Sequence, residues 1–365
     1  MASIPMSGSR AKRGGNGRGG KKAGWAVKWT DELKIDKDGS ATIQLTPAKY
    51  NIAGDVMPYF TAPMFQIQYQ NKNGNTSWSW LRGTGDNNCV LQKLADSNHG
   101  AVKAPKYGDN NRFYLNVIHY SVFGRSPVER DGQVIRYSDG KLKGQPIYRW
   151  DEAKSIRDRK ALLNKGDSED VCFYRKKFLE LPATQFKVIQ EISRKARSMC
   201  KCGGTLFPSI FTCSKCEEIL LNVEDTEKTD SEIAQFADQD TRCRHCGHVD
   251  FPVAQFDCDN CQDPKPHEYY EVVAKVKKIA GSNGFPTLVL DSVVPVGDFL
   301  LDNKSSVVNT EGKYGEDLDK LMTAQYDFEA YTEPKSAAEI SEMLGLREGD
   351  IGFASNTKRY NNFRN

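Results

Sequence analysis

"MFQIQYQNKNGNTSWSWL" runs from Met64 to Leu81, and its reading decides the structural class of the chain. Phe65, Ile67 and Tyr69 alternate with polar residues, which places them on one face of a strand. Asn73-Gly74 is a turn pair, because both residue types tolerate positive φ. The chain then returns with Trp78 and Trp80 on one face and Ser77 and Ser79 on the other. A β-hairpin carrying a row of aromatic rings is predicted.

Working outward, strand signals continue on both sides. "SATIQLTP" alternates around Ile43 and Leu45, "RFYLNVIHYSVF" starts at Arg112, and "GQVIRYSDGK" follows an Asp131-Gly132 turn. From Tyr148 the pattern becomes helical in "YRWDEAKSIRDRKALLNKG", with Asp151 as the expected N-cap. A second helix is predicted in "LPATQFKVIQEISRKARSM" and an acidic linker or exposed helix in "NVEDTEKTDSEIAQFADQD". Strands resume in "YYEVVAKVKKIAG", turn at Ser282-Asn283-Gly284, and return in "FPTLVLDSVVPV"; one more helix is expected in "SAAEISEMLGL".

The order of strands, helices and strands again predicts an α+β protein. Its expected core is an OB-like five-stranded β-barrel interrupted by a helical insertion with two zinc-ribbon-like modules. On this reading residues 1–24 are a disordered basic arm and 25–150 the first part of the barrel. Residues 151–265 are the insertion, 266–300 the closing strands, and 301–365 a partly acidic C-terminal region with a short helix.

Eight of the ten cysteines lie in "CKCGGTLFPSIFTCSKC" (200–216) and "CRHCGHVDFPVAQFDCDNC" (243–261). Tetrahedral zinc takes four thiolates at about 2.3 Å, and a close cysteine pair on a tight turn supplies two of them. Taken in sequence order, Cys200, Cys202, Cys213 and Cys216 form one set, and Cys243, Cys246, Cys258 and Cys261 the other. Each set alone would complete a structural Zn2+ site, with disulfides or an iron–sulfur cluster as the alternatives. Gly203, Gly204 and Gly247 follow the pairs, where positive φ or close backbone approach is needed. His245 and His248 are read as surface residues, and Cys89 and Cys172 as buried thiols.

Net charge is only +3, but it is unevenly spread. Arg10, Lys12, Arg13, Arg18, Lys21 and Lys22 stand in residues 1–24 without an acid, while residues 311–350 hold eleven acids and four bases. A polyanion partner and protein partners follow from that asymmetry. No apolar run reaches membrane-spanning length and no signal peptide is present, so the expected location is cytoplasmic. All five tryptophans lie in the first 150 residues, mixed with other aromatics and bases. Small barrels bind single strands with such sets, stacking bases on rings while cations track phosphates. Tyr69, Trp78, Trp80 and Phe113 are the candidate stacking residues. Arg82, Lys103, Lys106, Arg112, Lys275 and Lys277 are the candidate phosphate contacts. No P-loop, G-x-S-x-G or HExxH is present, so no enzyme is predicted.

In the order of its features the chain resembles the helix-destabilising single-stranded DNA-binding proteins of T-even-like bacteriophages. "WTDELKIDKDGSATIQLTPAKYN" looks like that family's opening tryptophan and lysine-rich strand. "NKNGNTSW", "FYLNVIHY" and "DGQVIRYSDGK" occupy the next places, and "YEVVAKVKKIAGSNGFPTLVLDSVVP" looks like the closing strands. The resemblance covers about half of the chain. It implies a non-catalytic protein that coats single-stranded DNA in phage-type replication, recombination or repair. It further implies self-association along DNA through the basic arm, replication or recombination partners, and a host-cell cytoplasmic location if phage-encoded. The chain departs from the family in carrying two four-cysteine sets in its second half and in ending "NTKRYNNFRN". The alternative is a zinc-ribbon subunit or accessory factor of a transcription or primase assembly.

Overall fold

A computed structural model describes residues 28–346, apart from 48, 53–54, 71–73, 85–88, 98, 104–110, 165–169, 238, 251, 282–284 and 304–317. The expected basic arm, Lys106, the 282–284 turn and the C-terminal end lie outside these residues. The strands in chain order are β1 Ser40–Leu45, β2 Tyr50–Ile52, β3 Asp55–Met57, β4 Phe60–Gln70, β5 Thr76–Arg82, β6 Val102–Lys103 and β7 Asn111–Pro127. They continue as β8 Glu129–Arg130, β9 Gln133–Val134, β10 Tyr148–Glu152, β11 Val171–Pro182, β12 Leu206–Thr212 and β13 Ile219–Asn222. The last are β14 Thr241–Arg242, β15 Val249–Asp250, β16 Val253–Cys258, β17 Val272–Ala280 and β18 Pro286–Pro295. The helices are α1 Val90–Asp96, α2 Ile156–Leu163, α3 Ala183–Arg197, α4 Asp230–Ala237, α5 Val296–Asp302, α6 Leu318–Thr323, α7 Phe328–Tyr331 and α8 Ala337–Leu344. The protein is mixed α+β with antiparallel sheets, and no helix among the described residues is long and apolar enough to cross a membrane.

The 17-residue strand β7 organises the molecule. Tyr114 pairs with Phe60 of β4 and Glu180 of β11, and Tyr120 pairs with Thr42 of β1 and Tyr174 of β11. So β11 runs along one side of β7, and β4 and β1 follow one another along the other. Two arms leave that side: β4 leads to β5 and β6, and β1 leads to β17 and β18. The strand order β18-β17-β1-β7-β4-β5 ends with β18 and β5 unpaired to one another. Among the described residues the sheet is open and no closed barrel is found, so the expected OB-like five-stranded β-barrel is not established.

The structure also redraws the expected insertion. β11 belongs to the central sheet along its full length, and α3 lies on the main core through Val188, Ile189, Ile192 and Ala196. Those four positions recur at helical spacing, so the helix buries one stripe against Leu115, Val117, Val272 and Leu288. Its last turn carries Arg194, Lys195 and Arg197, which suits the negative end of the helix dipole. The expected N-cap at Asp151 is corrected. Asp151 sits in β10, where its carboxylate accepts hydrogen bonds from Ser126 and Arg149, and Ser155 caps α2 by accepting from the Asp158 amide.

Residues 318–332 cover a buried polar seam on the sheet. Tyr326 donates its amide to Asn116 Oδ1 (3.0 Å), and Tyr50 contacts the Asn116 side chain from the other direction. Lys176, only 4% exposed, donates to Thr46 Oγ1 (3.2 Å) and to the Leu321 carbonyl (2.8 Å). That carbonyl is one of the α6 C-terminal groups without an intrahelical partner. Burial lowers the Lys176 pKa to about 7. The folded chain therefore holds this proton less tightly than the unfolded chain, and unfolding takes a proton up between about pH 7 and 10.5. Stability should rise with pH across that window, by an amount on the order of a few kcal/mol. Urea unfolding of the wild type against Lys176→Met at a series of pH values checks this. The difference between them should shift in favour of the wild type as pH rises, and a pH-independent difference would contradict it.

Candidate metal centres and nucleic-acid interface

The eight paired cysteines form two groups of four, but not the two expected from sequence order. Cys200 and Cys202 converge with Cys258 and Cys261, while Cys213 and Cys216 converge with Cys243 and Cys246. The pairs are nested. The cause is the antiparallel ladder of β12 and β16, in which Leu206 faces Cys258 and Thr212 faces Val253. The two cysteine pairs are joined by the single strand β12 and not by a hairpin, so they end up at opposite ends of the ladder. At about 3.3 Å per residue, seven residues of β12 separate the two centres by roughly 20 Å.

Each centre is shaped for a single ion. Sγ–Sγ separations are 3.6 Å for Cys200–Cys261 and 3.4 Å for Cys202–Cys258. In the other centre they are 3.6 Å for both Cys213–Cys246 and Cys216–Cys243. A tetrahedron with metal–sulfur bonds of about 2.3 Å has edges of about 3.8 Å, close to these values. Disulfides would need about 2.05 Å, and a multi-atom cluster would hold its thiolates farther apart. Backbone amides point at the sulfurs, from Gly204 to Cys202, Asn260 to Cys258 and Lys265 to Cys200, each at 3.4 Å. Such donors stabilise thiolates over thiols. Four thiolates in a tetrahedron suit zinc or iron, and the cysteines leave no ligand position for His245 or His248.

The turns that present the sulfurs repeat one design. Cys213 N donates to Glu218 O (2.9 Å) and Glu217 N to Cys213 O (3.0 Å). Cys243 N donates to His248 O (2.8 Å) and Gly247 N to Cys243 O (2.9 Å). The residue after each second cysteine turns left-handed, with φ of 60° at Glu217 and 71° at Gly247. Gly204 is required for a different reason. A Cβ there would lie 2.5 Å from Asp259 Oδ1 and 2.6 Å from Cys258 Sγ. Gly204→Ala should therefore lower bound metal from two towards one per chain, as elemental analysis of the purified protein would register. Two equivalents retained would show that the turn can yield.

The second candidate surface lies on β5, the free edge of the β4 arm. Leu81 on one face of β5 packs with Phe65 and Ile67 under α1 and α8. Trp78 and Trp80 on the other face are 43% and 42% exposed. They stand across from Gln68 and Gln66, and Gln66 stands across from Lys103 of β6. Lys103 Nζ lies 4.2 Å from the Trp78 ring centre, and the Arg112 guanidinium carbon 4.2 Å from that of Trp80. Arg112 also approaches Glu180 at 3.9 Å. Two indoles, two cations and a glutamine floor are thus brought together on one sheet face. The glutamines had no signal of their own in the sequence; only register places them.

The other expected contacts stand elsewhere. Tyr69 is on the opposite face of β4 and packs against the Phe65 cluster. The ring of Phe113 stacks on Phe186 at 4.1 Å and meets Tyr59 edge-on, so it is core material and not an open platform. Arg82 lies over the Phe60 ring at 5.1 Å and reaches Thr332. Lys275 and Lys277 of β17 both pair with Asp291 of β18, at 3.5 and 2.6 Å. Tyr69 and Phe113 are thereby removed from the stacking set. Cys89 and Cys172 are buried, as expected. No protein-family model matches this chain, and neither a curated protein nor a solved structure matches it.

Proposed function

We propose that the protein is a non-catalytic single-stranded DNA-binding protein with two structural zinc ions. The observation that carries this is the exposed Trp78–Trp80 pair with Lys103 and Arg112 on its faces. Exposed large rings on an edge strand need a reason, and stacking on unpaired bases supplies one of about 1–3 kcal/mol per base. The cations beside them are positioned for the phosphates that accompany those bases. Zinc at the nested centres would hold together β12–β16 and its flanking turns, which have little apolar material of their own. We further propose that the two arms leaving β7 are an opened form of the oligonucleotide-binding barrel. The role is coating single-stranded DNA in phage-type replication, recombination or repair, as in the helix-destabilising proteins that the residue order resembles.

A second reading, docking on a transcription or primase assembly, draws on the exposed Phe207, Ile219, Val249 and Val253 of the cysteine-rich part. Titration with oligothymidylate across a salt series separates the two. Tryptophan fluorescence should be quenched, and log K should fall with log salt, by about 0.7 per phosphate neutralised. An unchanged signal, or preference for duplex, would favour the docking reading.

A further inference from the structure

The Trp78–Trp80 arrangement occurs a second time in the molecule, at the far end of β7. Strand β10 is paired to β7 at its outer end, with Tyr148 opposite Pro127 and Trp150 opposite Arg125. Tyr148 and Trp150 are two residues apart, so both project from the same face, as Trp78 and Trp80 do. The Arg125 guanidinium lies 4.0 Å from the Tyr148 ring centre, and that of Arg175, on the neighbouring β11, lies 5.4 Å from Trp150. Tyr148 is 42% exposed, the same as Trp80. The β5 edge and the outer end of β7 therefore each carry two rings at i and i+2 with a cation over each.

We infer that Tyr148, Trp150, Arg125 and Arg175 form a second stacking platform for single-stranded nucleic acid. Charge complementarity selects this occupant. Residues 125–152 are close to neutral, with six bases and five acids and Arg149 paired to Asp151, but the charges that lie on the rings themselves are the cations Arg125 and Arg175, which favour a polyanion. An apolar protein partner would not need an arginine on each ring, whereas a nucleotide uses both the π-face and the charge. The inference shares the stacking chemistry of the proposed function but rests on different residues. Arg112 and Arg125 stand about 40 Å apart along β7, so the two platforms would grip separate nucleotides.

The test is photocrosslinking of the full-length, zinc-loaded protein to oligothymidylate carrying iodouracil, with the crosslinked peptides identified by mass spectrometry. Crosslinks are expected both at Trp78–Trp80 and at Tyr148–Trp150. The Tyr148→Leu/Arg125→Gln variant should lose the second crosslink, keep the first, and bind a long oligomer about 5- to 150-fold more weakly. Crosslinks at Trp78–Trp80 alone, or wild-type affinity in that variant, would overturn the second platform and leave the proposed function standing. Crosslinks at Tyr148–Trp150 alone would uphold the second platform and overturn the first. No crosslink at either would overturn both.

Discussion

The Cys200→Ser/Cys261→Ser double variant should retain one zinc per chain, and Cys213→Ser/Cys261→Ser should retain close to none. The first pair of substitutions falls within a single nested centre and leaves Cys213, Cys216, Cys243 and Cys246 intact. The second takes one ligand from each. Had the centres followed sequence order, both variants would strike both sites and their metal contents would be alike. Elemental analysis under mild chelator decides it, because a three-thiolate remnant loses its ion more readily than a full tetrahedron. The energetic stake is large: apparent zinc-binding free energies in small structural sites are about 10–16 kcal/mol at neutral pH, and that energy is folding energy. The ladder between β12 and β16 couples the two ends. Loss of one centre should therefore also loosen the other, which would appear as a lower chelator concentration for releasing the remaining ion.

Trp78→Ala/Trp80→Ala should weaken binding to oligothymidylate by about 2–6 kcal/mol, taking about 1–3 kcal/mol for each stacked base. That is a loss on the order of 30- to 10⁴-fold, read by the anisotropy of a labelled oligomer because the two tryptophans expected to report stacking have been removed. Fold stability should barely move, since both rings are two-fifths exposed and the core beneath them is built by Leu81, Phe65 and Ile67 on the other face. Lys103→Gln acts differently. It should flatten the salt dependence by about one phosphate contact and weaken binding to all sequences alike. Unchanged affinity in the double tryptophan variant would remove the stacking role from this face.

Local patterns in the chain identified most of the strands and the longest helix. "SATIQL" and "RFYLNVIHYSVF" are legible as strands from their β-branched and aromatic content, although Tyr114–Tyr120 is buried on both faces, and the stripe of Val188, Ile189, Ile192 and Ala196 marks α3. The Asp131-Gly132 turn is present, with φ of 52° and 75° at its two residues. Strand β11 was hidden, because "VCFYRKKFLELP" carries Arg175, Lys176, Lys177 and Glu180 among its apolar residues. It is covered on both sides, and Lys176 is buried by two hydrogen bonds that only the fold supplies. The cap at Ser155 was readable from the Asp158 three residues later, but Asp151 beside an apparent helix start drew the boundary too early.

The cysteines show where sequence stops and structure begins. Spacing and residue type alone marked out the eight thiols that come together in groups able to hold a metal, because close pairs on tight turns are a local property. Which pairs meet was decided by antiparallel pairing of strands more than forty residues apart in sequence. Pro208-Ser209 at the centre of "LFPSIFT" even reads as a turn, whereas in the structure it is a register shift within the β12–β16 ladder. The same division holds for the aromatic face. Alternation put Trp78 and Trp80 on one side of a strand, but only register with β4, β6 and β7 set Lys103 and Arg112 over them and turned Tyr69 and Phe113 into the core. Residue period is written in the chain, whereas pairing partners are chosen by the burial and hydrogen bonding of the whole sheet.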